Sequence, residues 1–188
     1  MADQRAEIAA MTEDARAMES SAQETAQTTM RRAALSRVLT ALDTGGGYAD
    51  ALADLRSAGA SVPDILARSA PGGIATLSDL QARFPDAARA ALAAARAAAV
   101  ETGETGGATA FLRNVLGVRS LEPRAGDDPD AILSRAEAAT REGRLTDALA
   151  EIDALPQIAR TELSDWTTDV RARLDVIAAA QKLSEELN

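Results

Sequence analysis

The sequence predicts an all-α protein, and three observations carry that prediction. Alanine dominates an apolar fraction of 46%, while aromatics make up only 2%. Ala, Leu, Arg and Glu are strong helix formers, and β-branched residues are few. Apolar residues recur at i, i+3, i+4 and i+7 through several windows, the spacing of one helix face. The expected architecture is a long N-terminal coiled-coil or amphipathic helix, then helical hairpins, then a C-terminal helical bundle with a long last helix. A core of small side chains buries little area per residue, so a second chain is expected to complete it, giving a dimer.

Composition also excludes chemistry. The 188 residues contain no His and no Cys. A Ser-His-Asp triad, a Cys nucleophile, a zinc site of the usual ligands and a disulfide are all ruled out. No two remaining groups with catalytic potential share a signature spacing. The expectation is a non-enzyme without cofactor or metal. Net charge is −9, which argues against nucleic acid as a partner. The charge is unevenly spread. Residues 1–30 carry six acids against two bases, 31–124 nine against eleven, and 125–188 fourteen against seven. The faintly basic middle is the part suited to an anionic surface. No window holds about 18 uninterrupted apolar residues, and no secretion signal is visible. The start of the sequence fits a soluble protein, or one whose membrane anchor lies upstream.

Ala2 to Asp43 contains no Gly or Pro and reads as one helix. Ile8, Met11, Ala15, Met18, Ala22 and Thr25 recur at heptad spacing, a thin coiled-coil seam. From Met30 the helix becomes amphipathic. Leu35, Val38, Leu39 and Leu42 form its apolar face, bordered by Arg31, Arg32 and Arg37. Two readings fit. The face lies on an anionic membrane with the Arg stems reaching phosphates, or it packs against the next helix of a bundle. Gly45-Gly46-Gly47 stops the helix. Tyr48 follows where a phosphate loop would need Lys-Ser or Lys-Thr, so the triplet reads as a hinge. Short helices are expected over Tyr48–Arg56 and Pro63–Arg68. Thr76 and Asp79 form a capping-box pattern before a further helix, which Pro85 is expected to kink or restart. Asp86 to Val100 is nearly pure Ala. Gly103, Gly106 and Gly107 mark a linker. Phe111, Leu112, Val115 and Leu116, beside Arg113 and Arg119, form an apolar segment that docks the middle region or makes a second membrane contact.

The last third is densest in start and stop signals. Asp128 is the expected N-cap, with Pro129 at the first helical position. Capping accounts for its cluster of carboxylates, whose spacing fits no calcium loop. Ile132, Leu133 and Ala136 face inward, and Gly143 ends the helix. Leu145, Ala148, Leu149, Ile152 and Leu155 line the next helix, which Pro156 closes. A third helix of roughly 30 residues, about 45 Å long, would outreach this hairpin. Leu163, Trp166, Val170, Leu174 and Ile177 are its candidate dimer interface. Alternatively, Trp166 fills the hairpin's own core.

The stretch G-D-D-P-D-A-I-L-S-R-A-E-A-A-T-R-E-G-R-L-T-D-A-L-A-E-I-D-A-L-P, followed by W-T-T-D-V-R-A-R-L, resembles the C-terminal domain of the mitofilin family, in particular its alphaproteobacterial members. F-L-R-N-V-L-G-V-R and L-Q-A-R-F-P-D-A-A-R-A-A-L are similar more loosely. The resemblance implies a protein with an N-terminal transmembrane anchor, missing here, then a coiled coil, membrane-touching helices and this terminal domain. It implies a non-enzymatic scaffold of the inner membrane that promotes invagination, in mitochondria at the crista neck and in bacteria from the periplasmic side. The terminal domain is implied to self-associate as a homodimer or higher oligomer and to receive a protein partner. The segment in the place of the family's membrane-binding helix is Met30–Leu42, so the resemblance makes Arg31, Arg32, Leu35, Arg37, Val38, Leu39 and Leu42 the candidate contacts to anionic phospholipid. Both readings of that helix hold together if a closed form shelters the face and lipid releases it. The expected division is 1–43 for the end of the coiled coil and the amphipathic helix, 48–100 for the hairpin region, 101–109 for a linker and 110–188 for the terminal domain. The alternative function is a tetratricopeptide-like adaptor, suggested by E-G-R-L-T-D-A-L, although no period of about 34 residues recurs.

Overall fold

The computed structural model describes residues 2–101 and 126–187. They form eight helices and no strand. These are α1 (Ala2–Thr44), α2 (Ala49–Ser57), α3 (Asp64–Ser69), α4 (Leu77–Glu101), α5 (Pro129–Arg141), α6 (Leu145–Asp153), α7 (Gln157–Glu162) and α8 (Ser164–Glu186). The all-α expectation holds, with a long helix at each end. The expected linker beyond Glu101 and the Phe111–Leu116 segment lie outside the described residues.

The chain divides into two compact units. One comprises the described residues up to Ile74 together with those from Asp175 on, and the other runs from Ala75 to Leu174. The hairpin region read from the sequence as 48–100 is thus shared between them, and so is α8.

In the first unit, α1 supplies Leu35, Val38 and Leu42 to a core shared with Tyr48, Leu52, Leu55 and Leu66. Val176, Ala180 and Leu183 of α8 complete it. The basic border of α1 serves α2. Arg31 donates from Nε to the carbonyl of Ala58 at 2.6 Å, satisfying a group at the C-terminal end of α2 where a cation is also favoured by the helix dipole. Arg37 pairs with Asp54 of α2.

The Gly45–Gly47 loop has a more specific task than turning the chain. It runs directly under the Pro71–Gly73 loop. A Cβ on Gly47 would sit 2.8 Å from the carbonyl oxygen of Pro71, and a Cβ on Gly73 would fall on the carbonyl oxygens of Gly45 and Gly46. Gly47 and Gly73 are there because two backbones touch.

The second unit starts from the expected capping box. The amide of Thr76 donates to Asp79 at 3.2 Å and the amide of Asp79 donates to the Thr76 hydroxyl at 3.0 Å. That hydroxyl also donates to the Asp79 carboxylate, which holds its pKa below the ordinary value. A carboxylate depressed in the folded state adds stability above its unfolded pKa and loses it as pH falls through the folded one. The α4 end is therefore expected to loosen below about pH 4, seen as faster amide exchange over its first turn.

Pro85 does not restart the helix. Leu80, Phe84, Ala91 and Ala95 lie on one buried face of a single α4, and that continuous packing outweighs the missing amide. From α4, Gln81 donates to the carbonyls of Thr140 and Arg141 at 3.2 and 3.0 Å, capping the end of α5.

Asp128 is the N-cap of α5, accepting from the amides of Asp130 and Ala131 at 3.1 Å each. Asp128→Ala is expected to lower stability by about 1 kcal/mol, measured by urea denaturation. At the other end Gly143 has φ +75. Its amide donates to Thr140 and that of Arg144 to Ala139, the paired bonds of a Schellman turn. Arg135 and Glu151, 2.8 Å apart and largely shielded, tie α5 to α6.

The single third helix expected after Pro156 is two. The amide of Leu163 bonds back to Arg160, a tight i→i−3 turn, and α8 begins anew at Ser164. No Gly or Pro marks this break. It turns Leu163 fully into the core, and burial there decides the geometry.

Candidate functional site

The residues read from the sequence as lipid contacts separate into two groups. Leu35, Val38 and Leu42 are buried in the first unit's core. Leu39 lies at the edge of that face and is 37% exposed. Of the three arginines, Arg31 and Arg37 hold α2, as described above, while Arg32 is exposed. Met30, a helical turn ahead of the buried Ala34, is exposed as well. Arg32 and Leu39 are therefore exposed together on one flank of this helix, and Met30 is exposed on the opposite one. Heptad and moment arguments locate an apolar face but do not say what covers it, and here α2, α3 and the end of α8 do.

The residues read as a dimer interface have their own surroundings. Leu163, Trp166 and Val170 are buried in the second unit's core within a single chain. The Trp166 indole donates to the carbonyl of Leu80 at 2.9 Å and meets the Phe84 ring edge-on, centroids 4.9 Å apart. Leu174 is partly buried against the same core. Ile177 is half-buried in the first unit's part of α8. The length of the last helix does not call for a second chain, because α8 from Asp175 on packs in the first unit.

An open cleft of about 310 Å³ lies beside Arg37, Gly47, Tyr48, Asp50 and Pro71. Arg37 is already engaged by Asp54 and Asp50 adds a negative charge, so the cleft is poorly suited to an anion. The Tyr48 hydroxyl is bonded to Ser69, and burial pushes its pKa up. Among the described residues no cluster of Asp and Glu is arranged to hold a metal ion.

By contrast, the first part of α1 forms a surface. From Gln4 to Gln27 every residue is exposed. Ile8, Met11 and Met18 are 64%, 62% and 74% exposed, aligned with Ala15, Ala22 and Thr25 at heptad spacing. Among the described residues no helix is long and apolar enough to cross a membrane.

The described elements are thus all helices, with the first exposed from Gln4 to Gln27. A family model described as Mitofilin, mitochondrial inner membrane protein, matches residues 10–188, and the chain belongs to the mitofilin family. It is similar to the MICOS complex subunit MIC60 of Yarrowia lipolytica, 38% identical over 61 residues, covering 32% of this chain and 11% of that protein. The MIC60 of Coccidioides posadasii is 39% identical over 61 residues, covering 32% of this chain and 9% of its own. That of Paracoccidioides brasiliensis strain Pb18 is 33% identical over 84 residues, covering 45% and 12%. The chain thus spans roughly a tenth of the length of these curated relatives. No solved structure matches it.

Proposed function

We propose that this chain is the membrane-proximal scaffold part of an inner-membrane organising protein, self-associating and binding lipid peripherally to promote invagination. Family membership over residues 10–188 carries the reading. The named relatives are subunits of a complex, which supports a protein partner for the terminal domain. It gives no support to a tetratricopeptide-like adaptor.

The membrane contact is the flank of α1 that carries Arg32 and Leu39, with the first unit staying closed. Magnitudes decide this. Releasing Leu35, Val38 and Leu42 into lipid would repay their own burial. It would strip cover from Leu52, Leu55, Leu66, Val176 and Leu183, at roughly 2 kcal/mol each. Lipid attraction returns about 1 kcal/mol per well-placed basic residue. Three arginines do not offset about 10 kcal/mol. One exposed arginine and one apolar edge grip weakly, so several copies must bind together.

Flotation with vesicles containing anionic lipid tests the contact. Arg32→Glu combined with Leu39→Glu is expected to reduce flotation at least several-fold while leaving the helical circular dichroism unchanged, since both positions are exposed. Undiminished flotation of that folded variant would remove this border as the contact.

A further inference from the structure

We propose that Asp54 of α2 restrains lipid binding by α1, because it occupies an arginine that otherwise reaches lipid phosphate. This rests on the membrane contact read above and adds its regulation.

The exposed side of α1 near Met30 to Thr40 has two flanks. Arg32 and Leu39 stand on one, and Met30 and Arg37 on the other, the members of each pair seven residues apart. Seven residues are close to two helical turns, so each pair shares a face. Both flanks therefore offer one arginine and one large apolar side chain. Between them run Thr29, Ala33, Ser36 and Thr40, all exposed and all small. Thr29 and Thr40 donate their hydroxyls back to the carbonyls of Thr25 and Ser36, each at 2.9 Å. These donors are already satisfied, so the strip lies close to a headgroup layer at little cost, with the long side chains reaching down on either side.

The flanks differ in charge. Arg32 is exposed, whereas Arg37 is paired with Asp54. Asp50, one turn earlier on α2, lines the same cleft as Arg37. The second flank has the shape of the first without its net positive charge, so an anionic surface gains nothing from it while the pair holds.

The pair exchanges easily. Its two side chains are 55% and 58% exposed, and an ion pair at the surface favours its own closure by no more than about fivefold. A basic residue placed against an anionic lipid surface strengthens binding by about the same factor. Lipid phosphate and the Asp54 carboxylate thus compete for Arg37 on nearly even terms. Arg31 is the contrast. It is half-buried and donates to the carbonyl of Ala58 at 2.6 Å, and a Cβ on Gly59 would stand 3.3 Å from its guanidinium. Arg31 is fixed in the packing, and Arg37 is the arginine that changes partner without any opening of the core.

The test is flotation of the full chain on phosphatidylcholine vesicles with and without phosphatidylglycerol. The parent is compared with Asp54→Asn, Arg37→Gln and the double variant, all checked for unchanged helical circular dichroism. Asp54→Asn is expected to float several-fold better on the anionic vesicles and no better on the neutral ones, and to bring no gain in the Arg37→Gln background. Asp54→Ala, which offers Arg37 no acceptor at all, is expected to behave as Asp54→Asn does. An equal gain in the Arg37→Gln background would overturn the proposal, because removal of one negative charge would then be the whole effect. A parent that floats beside an Asp54→Asn chain that floats no better would overturn the restraint and leave the lipid contact standing. If neither floats, the contact and its restraint fall together. A lower urea midpoint for Asp54→Asn with no gain in flotation would make the pair a tie between α1 and α2 and nothing more.

Discussion

Trp166→Ala is expected to lower the unfolding free energy by about 3–5 kcal/mol. The indole is 3% exposed. Truncation opens a cavity beside Phe84 and removes the edge-on ring contact. It also takes away the hydrogen bond to the carbonyl of Leu80. Urea denaturation followed by far-ultraviolet circular dichroism measures this, since the variant loses the only Trp fluorophore. The folded variant is expected to keep the oligomeric mass of the parent, because Trp166 packs inside its own unit. A drop in mass without a drop in stability would instead put the indole at an interface.

Gly73→Ala is the second large effect. Gly73 has φ +71, a conformation that costs an L residue about 1–2 kcal/mol. Its new methyl would fall on the carbonyl oxygens of Gly45 and Gly46. Backbone cannot swing aside as a long side chain does, so overpacking adds roughly 1–3 kcal/mol. The two costs together come to more than about 3 kcal/mol. Gly72→Ala is the control, because a Cβ there meets nothing within 4 Å and φ is not positive. Thermal unfolding of the two variants should differ clearly. Equal melting temperatures would mean that the two loops do not touch.

Helix periodicity and capping were legible at the level of single residues. Asp128, Gly143 and the Thr76–Asp79 box all stand where local chemistry puts them, because each signal acts within a few residues of itself. What could not be read was set by contacts far apart in the sequence. The face of Leu35, Val38 and Leu42 is apolar whether lipid or protein covers it. Its cover includes Val176 and Leu183, at the far end of the chain. The roles of Arg31 and Arg37 depend on Ala58 and Asp54, which no spacing rule connects to them. The break at Leu163 follows from its burial, with no breaker residue to announce it. The Gly45–Gly47 triplet announces a turn, but only the crossing Pro71–Gly73 loop explains Gly47, whose Cβ would meet the carbonyl of Pro71.

Hydrogen exchange of the folded chain, with and without anionic vesicles, tests most directly whether the first unit binds lipid closed. Protection over α2, α3 and the end of α8 is expected to stay unchanged on vesicles, with slower exchange confined to the stretch from Met30 to Leu39. A marked rise in exchange across residues 49–70 on vesicles would contradict it, showing that lipid pulls the buried face of α1 out of its core.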